Sequence, residues 1–148
     1  MQAVRSLFAV TLVAICARSA TAQARPQGAT RSTRDTLPEI VVQRTIDAWT
    51  RKDLDATFAN FDSVFTHEML GDPAGAERLR RDDYVRQMKA DTAVMQRIRT
   101  QRIRVLHTDV HGAFVSQVWT VRLPDGREFK HFELIEVRGG KIVREIES

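Results

Sequence analysis

From Arg102 to the end of the chain the hydrophobic period is two, and that alternation constrains the fold more than any other feature of the sequence. Ile103, Val105 and His107 alternate with Arg102, Arg104 and Leu106; Val115, Gln117, Trp119 and Val121 alternate with Ser116, Val118 and Thr120. Successive side chains of a strand point to opposite faces, so this pattern predicts strands with one face turned to a core. His111-Gly112, Pro124-Asp125-Gly126 and Gly139-Gly140 separate the runs. Proline presets a turn and glycine permits positive φ, so tight turns are expected there. A strand from Arg127 to Arg138 and a last one from Ile142 to Ile146 complete an antiparallel meander of three or four strands.

Upstream the period is helical. Pro38 suits a first turn, and Ile40, Val41, Val42, Thr45, Ile46, Ala48 and Trp49 recur on one stripe up to about Lys52. Asp53 can cap a second, short helix with Leu54, Phe58 and Phe61 at i, i+4 and i+7. Val64 to Leu70 is short, apolar and β-prone, and Gly71-Asp72-Pro73-Ala74-Gly75 ends it as a loop. A third helix is expected from Asp82 to about Arg97, with Tyr84, Val85, Met88, Thr92 and Met95 inward. The result is an α+β domain, three helices covering one face of a curved antiparallel sheet.

The first residues read as an address. A basic start through Arg5, the apolar run Leu7 to Ile15, and small-x-small patterns ending at Ala22 and Ala24 predict a cleaved secretory signal over residues 1–24. The run is shorter than the roughly 20 residues that span a bilayer, so no lasting membrane anchor is expected. Residues 25–36, rich in Gly, Pro, Ser, Thr and Arg, read as a flexible linker, and the folded domain as 37–148. The chain is thus expected to be secreted or periplasmic. Its only cysteine, Cys16, leaves with the signal, and disulfides and thiolate chemistry leave with it.

Charge placement and missing motifs remove several function classes. The net charge is +4, but five of the 23 basic residues and only one of the 19 acidic ones precede Leu37, so the domain itself is balanced. Its arginines lack interleaved aromatics, and no nucleic-acid partner is expected. Gly-rich phosphate loops and the G-x-S-x-G elbow are absent. His67-Glu68-Met69-Leu70-Gly71 lacks the second histidine of a zinc-protease helix, and His107, Asp109 and His111 run into a turn, so neither metal nor cofactor is expected.

Several strings, Val41-Val42-Gln43-Arg44, Asp53-Leu54-Asp55 leading to Phe61, Val64 to Met69, and Gly140-Lys141-Ile142-Val143, together with the element order, resemble the nuclear transport factor 2-like superfamily, in its SnoaL-like polyketide cyclase and ketosteroid isomerase branches. The resemblance covers Leu37 to Ser148 and implies a cone-shaped fold, a pocket at its open end and a homodimer through the sheet. For ketosteroid isomerases it also implies a carboxylate base, with a tyrosine and a protonated acid as hydrogen-bond donors. Matched position by position, the tyrosine falls on Thr45, the base on Glu68 or Met69, and the acid on Glu133.

Glu133 has support of its own. Phe129, His131, Glu133, Ile135 and Val137 share one strand face, and a carboxyl and an imidazole among apolar neighbours are costly to bury without partners. If Phe132 and Leu134 point inward instead, both groups lie in water. The expected catalytic set is Glu133 as acid, Glu68 as base and His131 as orienter or alternate base. His67 and Glu68 face opposite ways on their strand, so only one of them can line a pocket. Trp49, Phe61, Phe65, Met88, Gln117, Trp119 and Phe129 are candidates to line a ligand cavity, with ordinary core as the alternative. The function expected is binding of a small, largely apolar, carbonyl-bearing molecule, with cofactor-free isomerase or cyclase chemistry. The alternative is a non-catalytic dimerisation or binding module.

Overall fold

The computed structural model describes residues 33–148. The signal segment and most of the linker lie outside the described residues. The last four linker residues, Thr33–Thr36, form a 3-10 turn. It packs on the domain: the Arg44 guanidinium donates to the Asp35 carbonyl at 3.2 Å, and a Cβ added at Gly140 (φ 74°) would come within 2.8 Å of the Thr36 methyl.

Helix α1 (Pro38–Thr50) starts on its proline and buries Val41, Val42, Thr45 and Ala48. Helix α2 (Leu54–Phe58) is capped by Asp53, whose carboxylate accepts from the Ala56 N–H at 3.0 Å. Strand β1 (Phe61–Met69) begins where the helical stripe was expected to end. Strand β2 (Glu77–Arg80) was not expected from sequence, since Leu79 is its one apolar residue.

The single third helix expected from Asp82 onward is two helices, α3 (Arg81–Ala90) and α4 (Thr92–Thr100). Asp91 divides them. Its backbone is extended, and its carboxylate accepts from the N–H groups of Ala93 and Val94 at 2.9 and 3.0 Å, satisfying two donors that a helix start leaves free. No described helix is long and apolar enough to cross a membrane.

Strands β3 (Arg102–His111), β4 (Phe114–Arg122), β5 (Glu128–Arg138) and β6 (Lys141–Glu147) form the expected meander. Among the described residues the sheet has six strands in the order β2-β1-β6-β5-β4-β3. It is not wholly antiparallel, because β1 runs parallel to β6. Register shifts interrupt the β1–β6, β3–β4 and β5–β6 ladders. Such bulges bend strands and increase twist, which curves the sheet around the helices.

The core lies between the concave face and the helices. Val41, Val42, Leu54 and Phe58 meet Phe61, Phe65, Val115, Ile135 and Ile142 there. Phe61 and Phe65, 2% and 1% exposed, each contribute about 1.5–3 kcal/mol by burial. Their rings stand 4.9 Å apart, edge to face.

Candidate functional site

Core packing fills the concave space near Phe65 and Ile135 and leaves a cavity beside it. Its empty space is about 630 Å3, open mouth included. Helix α1 supplies Thr45, Ile46 and Trp49, α2 supplies Phe58, and α3 supplies Tyr84 and Met88. Phe61, Ile103, Val105 and Trp119 come from the sheet, so most of the wall is aromatic or aliphatic. The exceptions are Thr45, Thr57 and a set of three carboxyls, Glu133 on β5 and Glu145 and Glu147 on β6.

Strand register brings these acids together. Glu147 is directly opposite Glu133, and Glu145 is two residues back along β6, on the same face. On the other side of β6, His67 of β1 pairs with Glu145 in parallel register, and its Nε2 stands 4.0 Å from a Glu147 oxygen. Glu133 and Glu145 are 7% and 9% exposed.

Burial dominates the electrostatics. Desolvation pushes the Glu133 carboxyl above its usual pKa, opposed by hydrogen bonding from Glu145 and Trp119. Glu145 is pushed well above the carboxylate range by desolvation, then by the charges of Glu133 and Glu147, and its O–H donates to Glu133. Glu147 is raised by desolvation and by Glu133, while His67, His131 and Arg97 pull it down. The Tyr84 phenol is also pushed up, by desolvation and then by Glu145 and Glu147, so it stays protonated. Of the three carboxyls, Glu145 is the one most strongly biased toward its protonated form.

The buried indole N–H of Trp49, in the same wall, has no hydrogen-bond partner, and that of Trp119 approaches Glu133 without regular hydrogen-bond geometry. Thr45, the position matched to a tyrosine, donates its hydroxyl to the Val41 carbonyl at 2.9 Å.

Among the residues expected to line a cavity, Trp49, Phe61, Met88, Trp119 and Glu133 do so. Phe65 is packed in the core instead, against Tyr84 and Phe61. Gln117 is 1% exposed and donates to the Thr108 hydroxyl at 3.1 Å, beside the cavity and not in its wall. Phe129 is 45% exposed near the start of β5, beneath the Arg127 guanidinium. His131 is half-buried and stacks on Trp119 with centroids 4.7 Å apart, its Nδ1 unpartnered. Glu68 is on the opposite face of β1 from the cavity and accepts from Arg144 at 2.6 Å. Alternation along β1 turns His67, and not Glu68, toward the acids.

The SnoaL-like domain family matches residues 42–145. The chain belongs to this family. No curated protein matches it. Among solved structures, a candidate ketosteroid isomerase from Kribbella flavida is 17% identical with a TM-score of 0.60, covering 78% of this chain and 77% of that one. A candidate polyketide cyclase from Sinorhizobium meliloti is 20% identical with a TM-score of 0.58, covering 76% of this chain and 95% of that one. TerC, crystallised with polyporic acid, is 13% identical with a TM-score of 0.60, covering 76% of this chain and 91% of that one. At these identities the likeness establishes the fold and leaves the chemistry to the residues.

In this SnoaL-like domain the sequence reading missed Glu145 and Glu147 as cavity residues; it weighed His67 but preferred Glu68, and it placed Tyr84 only on the apolar face of a helix. The pattern held one signal for the first two: Ile142 to Glu147 is a short strand in which Glu145 and Glu147 share a parity. Two acids on one face normally mark solvent, and only the pairing of β6 between β1 and β5 turns that face inward.

Proposed function

We propose that this SnoaL-like domain binds a small, largely apolar, carbonyl-bearing molecule in its cavity and moves a proton on it by cofactor-free acid–base catalysis. The observation that carries the reading is the Glu133–Glu145 carboxyl pair, hydrogen-bonded to each other in the wall of an otherwise apolar cavity. A carboxylate in such a pair can take the proton from a carbon next to the carbonyl while the electrons move onto the carbonyl oxygen. The indole N–H of Trp49 and the Tyr84 hydroxyl are donors in the same wall and would receive that oxygen. Returning the proton to another carbon completes an isomerisation and leaves the enzyme unchanged. His131, stacked on Trp119, orients this side of the wall.

The basic start, the apolar run and the small residues up to Ala24 support export to the periplasm or beyond. A homodimer through the outer sheet face is supported by Phe114 and Phe132, which share that face by register and are 40% and 39% exposed. The same two side chains favour the second reading, a non-catalytic module whose work is done by the outer face.

The test begins with native mass spectrometry of the chain purified from the periplasm of an expressing bacterium. A stoichiometric small-molecule adduct is expected, and solvent deuterium should enter it beside its carbonyl in the wild type and not in Glu133→Gln. An adduct-free dimer, or deuterium uptake equal in both proteins, refutes the catalytic reading.

A further inference from the structure

The edge of the cavity wall formed by β1 and β6 carries a group of ligands that the acid–base reading does not use as a set. His67 offers an imidazole nitrogen, and Glu145 and Glu147 each offer a carboxylate oxygen; these three atoms lie within 4.8 Å of one another. We infer that His67, Glu145 and Glu147 form a binding site for a first-row divalent transition-metal ion, Zn2+ or Mn2+. The metal site shares Glu145 with the carboxyl pair of the proposed function but does not depend on that reading.

The backbone arranges the ligands. Parallel neighbours β1 and β6 hold His67 against Glu145, and Glu147 follows on the same face of β6. Strands fix ligand positions more tightly than loops do. Bonds of about 2.0–2.2 Å from one ion to three such ligands require the atoms to close by side-chain rotation alone. One imidazole with two carboxylates favours a transition ion over Mg2+ or Ca2+, which prefer oxygen throughout.

A second observation is an unpaired buried acceptor in the same row of the sheet. Gln117 is 1% exposed, and its amide oxygen has no donor although its amide nitrogen is satisfied by Thr108. Gln117 pairs with Glu133, and Glu133 with Glu147, so the orphaned acceptor extends a row of acceptors across β4, β5 and β6. Among the described residues neither Glu133 nor Glu145 has an ion pair with lysine or arginine, and the partner of Glu147 is His67. Buried acceptors facing acceptors are costly unless protons or a cation neutralise them. Glu145 and Glu147 also line the cavity, so positions left open by three protein ligands are reachable from it.

The test uses the chelator-treated full chain with ZnCl2 and MnCl2 and no organic ligand, which separates it from any failure of the catalytic reading. Calorimetric titration should show saturable binding of one ion per chain. His67→Ala and Glu147→Gln should each weaken binding by at least about tenfold. His111→Ala, which disturbs the exposed His111–Asp109 pair, should leave it unchanged. In the wild type, a measurement that needs no variant, substoichiometric Mn2+ should broaden the His67 ring resonances before those of His107 and His111. No saturable binding, binding that survives both substitutions, or first broadening at His111 overturns the inference.

Discussion

Replacing Glu145 with glutamine removes a group that the fold keeps protonated, and the consequence is read in how stability depends on pH. Burial raises the folded-state pKa of Glu145 well above its unfolded value, which is about 4.3. The folded chain therefore binds more protons than the unfolded chain as pH rises from mild acid. The stability Glu145 contributes is complete below the unfolded pKa and is lost as pH climbs through the folded one. For each proton the folded state retains, stability falls by about 1.4 kcal/mol per pH unit across that window. In a domain of this size that corresponds to about 4–6 °C in Tm per pH unit. Glu133 and Glu147 shift in the same direction, while His67, His131, Arg97 and Tyr84 surround them. Asp62, Asp109 and Asp125, whose pKa values are lowered by hydrogen bonds, have the opposite sign, and they lose stability only as pH falls through acid. Thermal melts with chelator from pH 5 to 8.5 should show wild-type Tm declining with pH, and Glu145→Gln declining less and melting higher at pH 8. Parallel slopes in the two proteins would refute proton retention at Glu145.

Phe65→Ala should cost about 3–5 kcal/mol, measured as a lower urea midpoint, because the ring is 1% exposed and packed against Phe61 and Tyr84. A small loss would mean that Phe65 borders free space after all. Glu68→Gln should change stability by about 1 kcal/mol or less and leave ligand binding intact, since its Arg144 partner is 43% exposed and both lie away from the cavity. Weakened ligand binding in that variant would return Glu68 to the site.

How much of this was legible in the sequence depends on whether the deciding contact was local. The meander could be read because its period and its turns lie within a few residues of each other, and β3 to β6 fall close to the expected runs. Asp91 was also local, but Thr92 and Met95 continue a helical stripe across it, and the cap was masked by that continuity. Strand β2 could not be read, since a strand of Glu-Arg-Leu-Arg owes its existence to the edge of β1 that it pairs with. Phe61 fitted the stripe of α2 at i+7 and went to the strand, where the ring joins the same aromatic cluster.

The site divides along the same line. Glu133 could be found because its neighbours on β5 are apolar, so one strand's parity raised the question of an inward carboxyl. For Glu145, Glu147 and His67 the answer lies in the pairing of β1 beside β6, strands more than 70 residues apart in the chain. Until that parallel contact is known, the β6 acids belong to a half-polar terminal strand, and His67 and Glu68 are equivalent choices. Once β6 is inserted between β1 and β5, one face of three strands gathers His67, Glu145, Glu147 and Glu133, and the same contact sends Glu68 outward to Arg144. The proposed chemistry of this cavity therefore rests on a non-local pairing. A disturbance of the β1–β6 ladder far from the mouth, at the Phe61–Ile142 contact for instance, is expected to act on the acids through their spacing and not through any lost side-chain contact with a ligand.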